Sequence, residues 1–322
     1  SDNGAIRLNN AHPCINYCTI QHNSAPGIYA YNISGTLRIT NSTITDNKGS
    51  DGAGVYVSGS GGATTISGNT IKNNTASSGG GGVSSYYSTV TLTNNTISGN
   101  TAPSGGGVYP FGSTVTLTNN TISGNTASSS SSGGGVSSAW STVTLTNNTI
   151  SGNTASSGAG GGVYSESSTV TLTKSTISGN TASSGGGVYC GYHSTVTITN
   201  NTISGNTAKN AAAVYYVSGD GKDFKYNTIT GNKTTGGSDS CTIWVGSYPL
   251  LNYNNIYGNT ATYELWFDKS QGSANLDAKN NWWGSSDETA VQGKIYDGLD
   301  SSTKALVDYY PYSTAIRTDT GV

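Results

Sequence analysis

A chain of 322 residues is long enough to bury a sizeable core, as one large domain or two ordinary ones. Only 9% of it is charged and its net charge is -2, so it offers no field to attract nucleic acid or an acidic membrane, and no apolar run approaches the roughly 18 residues of a spanning helix. The 46 glycines and the abundant Ser, Thr and Asn would suit disorder, but the apolar residues return at a regular spacing that argues for buried surface.

The chain opens SDNGAIRLNN and contains no Met. That is expected of a processed polypeptide, and an extracellular or cell-surface location is the expectation. Ile6 and Leu8 alternate as in a strand. Cys14 and Cys18 lie close enough in sequence to suggest a local disulfide, whereas Cys190 and Cys241 are expected to stay apart, in register two coils from one another. No CxxC pair is present and no metal site is expected.

From Ile20 onward one unit recurs. Its isoleucines are Ile20, Ile44, Ile71, Ile97, Ile122, Ile150, Ile177, Ile203, Ile229 and Ile256, at intervals of 24 to 28 residues. Three residues after each stands an Asn: Asn23, Asn47, Asn74, Asn100, Asn125, Asn153, Asn180, Asn206, Asn232 and Asn259. The stretch STVTLTNNTISGNTA at 88–102 returns unchanged at 113–127 and 141–155. Within a unit, Val90 and Leu92, then Ile97, then Val108 mark about three short strands with alternate side chains inward. A single unit cannot make a core, but stacked units can, each side chain sitting on its counterpart one coil away. This predicts an all-β parallel β-helix. The Asn column is expected at a bend, where Asn tolerates left-handed dihedrals and bonds to its copies above and below. The glycine runs at 79–82 and 128–135 are expected to be bulging loops.

These TISGNTA units resemble the right-handed parallel β-helix repeats of the pectate-lyase-like superfamily, and NNWWGSSDE at 280–288 with VDYYPY at 307–312 resembles the closing motif of its extracellular bacterial and archaeal members. The resemblance implies a right-handed, single-stranded β-helix. About ten or eleven coils, near 50 Å long by strand spacing, would occupy residues 1–284, with 285–322 as an irregular extension that caps the last coil or contacts another subunit. The superfamily includes polysaccharide lyases and hydrolases, adhesins and surface-layer proteins, so the resemblance bears on fold more than on function.

Sugar-cleaving β-helices, as the resemblance implies, group carboxylates, Ca²⁺ and a Lys or Arg on one face. Here residues 52–208 carry only Lys72, Glu166 and Lys174 as charged side chains. The richer patch DGKDFK, with Asp220, Lys222, Asp223 and Lys225 and with Asp239 further on, reads either as a Ca²⁺ and base site or as a polar hairpin loop; the loop is the expectation. His12, His22 and His193 are scattered, no Ser or Cys has a visible His and Asp partner, and no cofactor is implied. The sequons at Asn32, Asn41, Asn73, Asn94, Asn119, Asn147, Asn200 and Asn232 are mostly by-products of the repeat.

Two outward stripes remain. Tyr29, Tyr56, Tyr109, Tyr164, Tyr189, Tyr215 and Trp244 should form an aromatic column, with Phe111, Trp140 and Tyr192 close by, suited either to stacking on sugars or to cross-strand packing. The T-x-T triplets from Thr89 to Thr199 resemble the ice-binding face of some β-solenoid antifreeze proteins, although Arg38 and Lys225 interrupt the corresponding strands of other coils. The expected role is a non-catalytic extracellular structural or adhesive protein, with a self-assembling filament or surface-layer subunit among its forms. The alternative is a carbohydrate-binding or polysaccharide-cleaving β-helix that uses the Tyr column, and ice binding by the Thr face is a third reading. End-to-end self-association is expected from STAIRTDTGV at 313–322, whose AIRT echoes AIRL of the first coil.

Overall fold

A computed structural model describes residues 4–59, 61–129, 132–218, 222–237, 240–270 and 272–322. Asp220 and Asp239 lie outside the described residues.

The chain winds through about eleven coils, and each typical coil has four strands where the apolar spacing suggests three. Successive coils pair in parallel to give four sheets of 12, 10, 10 and 8 strands. In one coil, Val83–Tyr86 lies on face 1, Thr89–Thr93 on face 2, Thr96–Ser98 on face 3 and Thr101–Ala102 on face 4. The fourth strand is only two residues long and contributes one small inward side chain, Ala102, which apolar periodicity does not register.

The inward residues behave as the repeat predicts. Val90, Leu92, Ile97 and Val108 are all at most 1% exposed. The Ile column is in register throughout, for instance Ile71 on Ile97 on Ile122 on Ile150. It ends at Trp283, which is fully buried and sits beyond Ile256 because Trp282 bridges to Asn255. The NNWWG segment is thus one further repeat in which a larger side chain closes the core.

Three polar ladders pin the corners. The first is the predicted Asn column. Asn125 Oδ1 accepts from Asn100 N and Nδ2 at 3.0 Å, while Asn125 Nδ2 donates to Asn153 Oδ1 and to Ile97 O at 2.9 Å. The same pattern runs from Asn23 to Asn259. The second ladder, missed in the sequence, uses Ser42, Asn69, Asn95, Asn120, Asn148, Ser175, Asn201, Asn227, Asn254 and Asn281. The third runs through Ser88, Ser113, Ser141, Ser168, Ser194 and Ser218. The left-handed residue is not the ladder Asn but the one before it: Gly99 and Gly124 at φ 62° precede the first ladder, Asn94 and Asn119 the second. The division of labour is steric. One residue turns the chain, and the next, free of that strain, points its amide inward to the neighbouring coils.

The glycine runs are only partly loops. Their last two or three residues make the tight entry into face 1, where a Cβ on Gly107 would meet Gly135 O at 2.5 Å, so the coils touch backbone to backbone.

Several expectations are corrected at the cysteines and the C-terminus. All four cysteines are free. Cys14 faces outward beside Arg38, whereas Cys18 follows the left-handed corner at Tyr17 and heads the second ladder, its N–H donating to Ser42 Oγ. The corner turns the two side chains to different faces, so the expected Cys14–Cys18 disulfide does not form. Cys190 is in register with Tyr216 and then Val245, so Cys241, four residues earlier in that strand, is not in its column. The segment 285–322 is more ordered than expected: α1 (Glu288–Gln292) is N-capped by Asp287, Ile295–Tyr296 extends face 1, and Val307–Asp308 pairs with Leu276–Asp277. Val291, Ile295, Ala305 and Val307 join the core, which makes this segment a cap. The tail 313–322 does not project from the end. It folds back over face 3, where Asn255 Nδ2 donates to Arg317 O, Asn255 Oδ1 accepts from Arg317 N, and Thr320 Oγ1 lies 3.0 Å from Thr228 Oγ1.

Candidate functional site

Face 1 carries the aromatic column. Tyr29 pairs with Tyr56, and Tyr164, Tyr189, Tyr215 and Trp244 follow one another in register, continued by Trp266 and Tyr296, which the sequence reading missed. Trp266 and Tyr296 lie past the end of the regular GGGVY units, and only the coil register reveals their position. Ser84 and Ser137 interrupt the column on either side of Tyr109.

The rings stack on one another. Centroid separations are 4.7 Å for Tyr29 and Tyr56, 5.3 Å for Tyr164 and Tyr189, 5.1 Å for Tyr189 and Tyr215 and 4.2 Å for Tyr215 and Trp244, all within 17° of parallel. Mutual cover raises the phenol pKa of Tyr189 and Tyr215 through desolvation, and burial beside Tyr86 and Phe111 raises that of Tyr109, which stands outside the stacked runs. A sugar needs a free ring face, and inside the stacked runs of Tyr29 with Tyr56 and of Tyr164 to Trp244 the facing sides are occupied by neighbouring rings. The stack opens between Trp244 and Trp266, above a cavity of about 230 Å³ also lined by Asn210, Tyr215, Cys241 and Asp268.

Free ring faces occur at the corner between faces 1 and 2. Tyr87 and Trp140 are 62% and 63% exposed, each at a left-handed position, with Phe111 between them. Phe111 meets Tyr87 and Trp140 edge-on at 5.8 and 5.1 Å and stacks on Tyr86 at 4.7 Å. Burial among these rings, with Tyr109 and Asp51 nearby, pushes the Tyr86 phenol up to about 12. The corner conformation drives the aromatic side chains outward, which residue spacing alone does not disclose.

Acid and base groups stay dispersed. Among the described residues no group of three or more His, Cys, Asp and Glu side chains could hold a metal ion. Lys225 is paired with Asp223 at 2.7 Å on the outside of face 2, and since both lie in the strand Asp223–Lys225 they are not part of the expected hairpin loop; Lys222 precedes them in sequence. Cys190 and Cys241 are buried thiols with raised pKa, Cys241 to about 12, and make poor nucleophiles. The sequons separate by structure: Asn32, Asn41, Asn73, Asn94, Asn119, Asn147 and Asn200 stand at left-handed corners, whereas Asn232 is a buried member of the first ladder.

Face 2 presents the threonines. Thr89, Thr91 and Thr93 pair residue for residue with Thr114, Thr116 and Thr118, and so on through three more coils to Thr195, Thr197 and Thr199. The next coils outward differ, with Ala63, Thr65 and Ser67 on one side and Asp223 and Lys225 on the other.

This geometry defines a parallel β-helix with ordered, low-charge faces. The family model that matches the chain is the right-handed beta helix region, over residues 1–71, 51–203 and 90–243, and the chain belongs to that family. No significant match was found among curated proteins or among solved structures.

Proposed function

We propose that the chain is a non-catalytic extracellular structural or adhesive protein, a stiff rod that holds surface groups at fixed spacing. The observation that supports this is the continuity of the three ladders, which tie each coil to the next through buried side-chain hydrogen bonds. A flexible or frequently opened β-helix has no use for corners locked in this way. The capped C-terminal core favours a single rod over an end-to-end polymer, because its apolar edge is already covered by α1 and the segment that follows. Limited proteolysis of the native chain with a broad-specificity protease tests the reading. Residues 88–207 should survive intact, and rapid cutting inside them, or turnover of a polysaccharide by the purified chain, would overturn it.

A carbohydrate contact is a second reading, and it shifts from the Tyr column to the corner. The exposed faces of Tyr87 and Trp140 favour it, since aromatic faces in solvent are what a pyranose ring packs against. Pull-down on insoluble polysaccharides, with the Tyr87→Ser/Trp140→Ser double variant as comparison, tests this contact.

A further inference from the structure

The threonine face has a regularity that a merely soluble surface does not require. Over five consecutive coils all fifteen outward positions of face 2 are Thr, in three columns. From the strand rise and strand separation the columns stand about 6.6 Å apart, with a repeat of about 4.8 Å along each, and the array covers roughly 19 by 13 Å.

Three features favour a rigid, flat array whose hydroxyls are left open to water. Parallel sheets normally twist, but side-chain ladders can hold a sheet flat. Face 2 is bordered by one on each side, the Ser88 to Ser194 ladder where the strands begin and the Asn95 to Asn201 ladder where they end. Each Thr is β-branched, which restricts χ1 and so limits where its hydroxyl can sit. The side chains also do not satisfy one another: among the described residues the only hydroxyl pair within these columns is Thr146 and Thr173, at 3.3 Å.

The array is also free of charge. Charged groups hold tight, disordered hydration shells of their own, and none of the fifteen positions carries one. Water in contact with the face meets a fixed two-dimensional lattice of hydroxyls separated by methyl groups. Hydroxyls on such a lattice can anchor a first water layer, and the methyls between them offer it no competing partners. A water layer held on such a lattice matches another ordered water lattice better than it matches the liquid. We infer that face 2 binds the surface of ice crystals, its ligand being lattice-ordered water and its binding residues the fifteen threonines centred on Thr144.

The inference goes beyond the structural reading and can fail separately from it. The full chain is tested for inhibition of ice recrystallisation and, with a fluorescent label, for adsorption to a growing single ice crystal. The wild type should keep ice grains small and coat the crystal. Thr144→Tyr, which raises a bulky ring from the middle of the array, should lose both effects while keeping the β-rich circular dichroism and melting temperature. Thr149→Tyr, on neighbouring face 3, should keep both. Absence of any effect by the wild type, or Thr144→Tyr as active as the wild type, would overturn the inference and leave the rod unaffected.

Discussion

The regular coils between Ser88 and Thr207 and the closing coils beyond Cys241 solve the same problem with different chemistry. In the middle, the buried amides of the first ladder are satisfied by their own copies one coil away, as Asn100, Asn125 and Asn153 are. A copy always has a further copy until the stack stops, and there unique residues are needed. The first ladder ends where Asn259 Nδ2 donates to the buried Glu264 carboxylate at 2.9 Å. The second ends at Asn281, whose amide turns to Leu251 O and Ala278 O. Trp283 fills the end of the Ile column, Lys294 Nζ donates to its carbonyl, and Asp297 accepts from the N–H groups of Leu299 and Val307. Translational repetition satisfies an interior without charge, whereas an end has to be finished with side chains that occur once.

The largest effect should come from breaking the end. Trp283→Ala removes the largest fully buried side chain, and should cost about 3–5 kcal/mol of stability. Because coils contact mainly their neighbours, hydrogen exchange should accelerate in residues 245–312 and stay slow in 90–200. Trp283→Phe should be much milder, since among the described residues the indole N–H has no hydrogen-bond partner to lose. Equal damage from the two variants in denaturant melts would count against the plug.

The matching change in the middle is Asn125→Ala. It leaves Ile97 O and two Asn100 donors short of partners, each worth about 1–3 kcal/mol when buried, less whatever water entering the space restores. A net loss of about 2–3 kcal/mol is expected from urea titration. An unchanged midpoint would reduce the ladder to a turn preference.

Acidity should separate the two regions further. Burial raises the Glu264 pKa above its ordinary 4.5, against the pull of the hydrogen bond from Asn259 and the charge of Lys294, and burial likewise raises Asp297 above 3.8. A carboxyl raised in the folded state binds its proton more tightly there. The stabilisation is therefore complete below the unfolded value and is lost as pH rises through the folded one. Stability of the closing coils should fall as pH climbs from about 4 toward neutrality, judged from the ordinary carboxyl values. Glu264→Gln, which can still accept from Asn259, should flatten that slope and stabilise the chain at neutral pH. A pH profile identical to the wild type's would show that Glu264 does not set it.

The smallest effect should follow removal of residues 313–322. The tail contributes a few partly exposed hydrogen bonds and the Arg317 guanidinium 5.0 Å from the Tyr253 ring centre, together about 1 kcal/mol. The truncated chain should melt slightly earlier with the same circular dichroism. A collapse of the fold would mean that the tail is part of the cap.

Much of this architecture is legible in the amino-acid order. The Ile and Asn columns announce themselves because a stacked coil tolerates few side chains at an inward corner, and repetition exposes the constraint. The second ladder hides because its residue alternates between Asn and Ser, as at Asn148 and Ser175, and because the preceding Asn draws attention as a sequon. Tyr87 and Trp140 were not legible as a pair, since their exposure arises from a left-handed corner that no spacing encodes.

What the residues determined by themselves is the parallel β-helix, its period, its apolar columns and its charge-poor middle, because each depends on a local pattern repeated until it must stack. Tertiary structure alone decided the rest. Cys14 and Cys18 diverge because the chain turns at Tyr17, the tail lies along face 3 because Asn255 offers it both a donor and an acceptor, and the tyrosines hide their faces because stacking brings ring onto ring. Each of these depends on which groups meet across coils some 25 residues apart, and such meetings are set by the register of the whole stack.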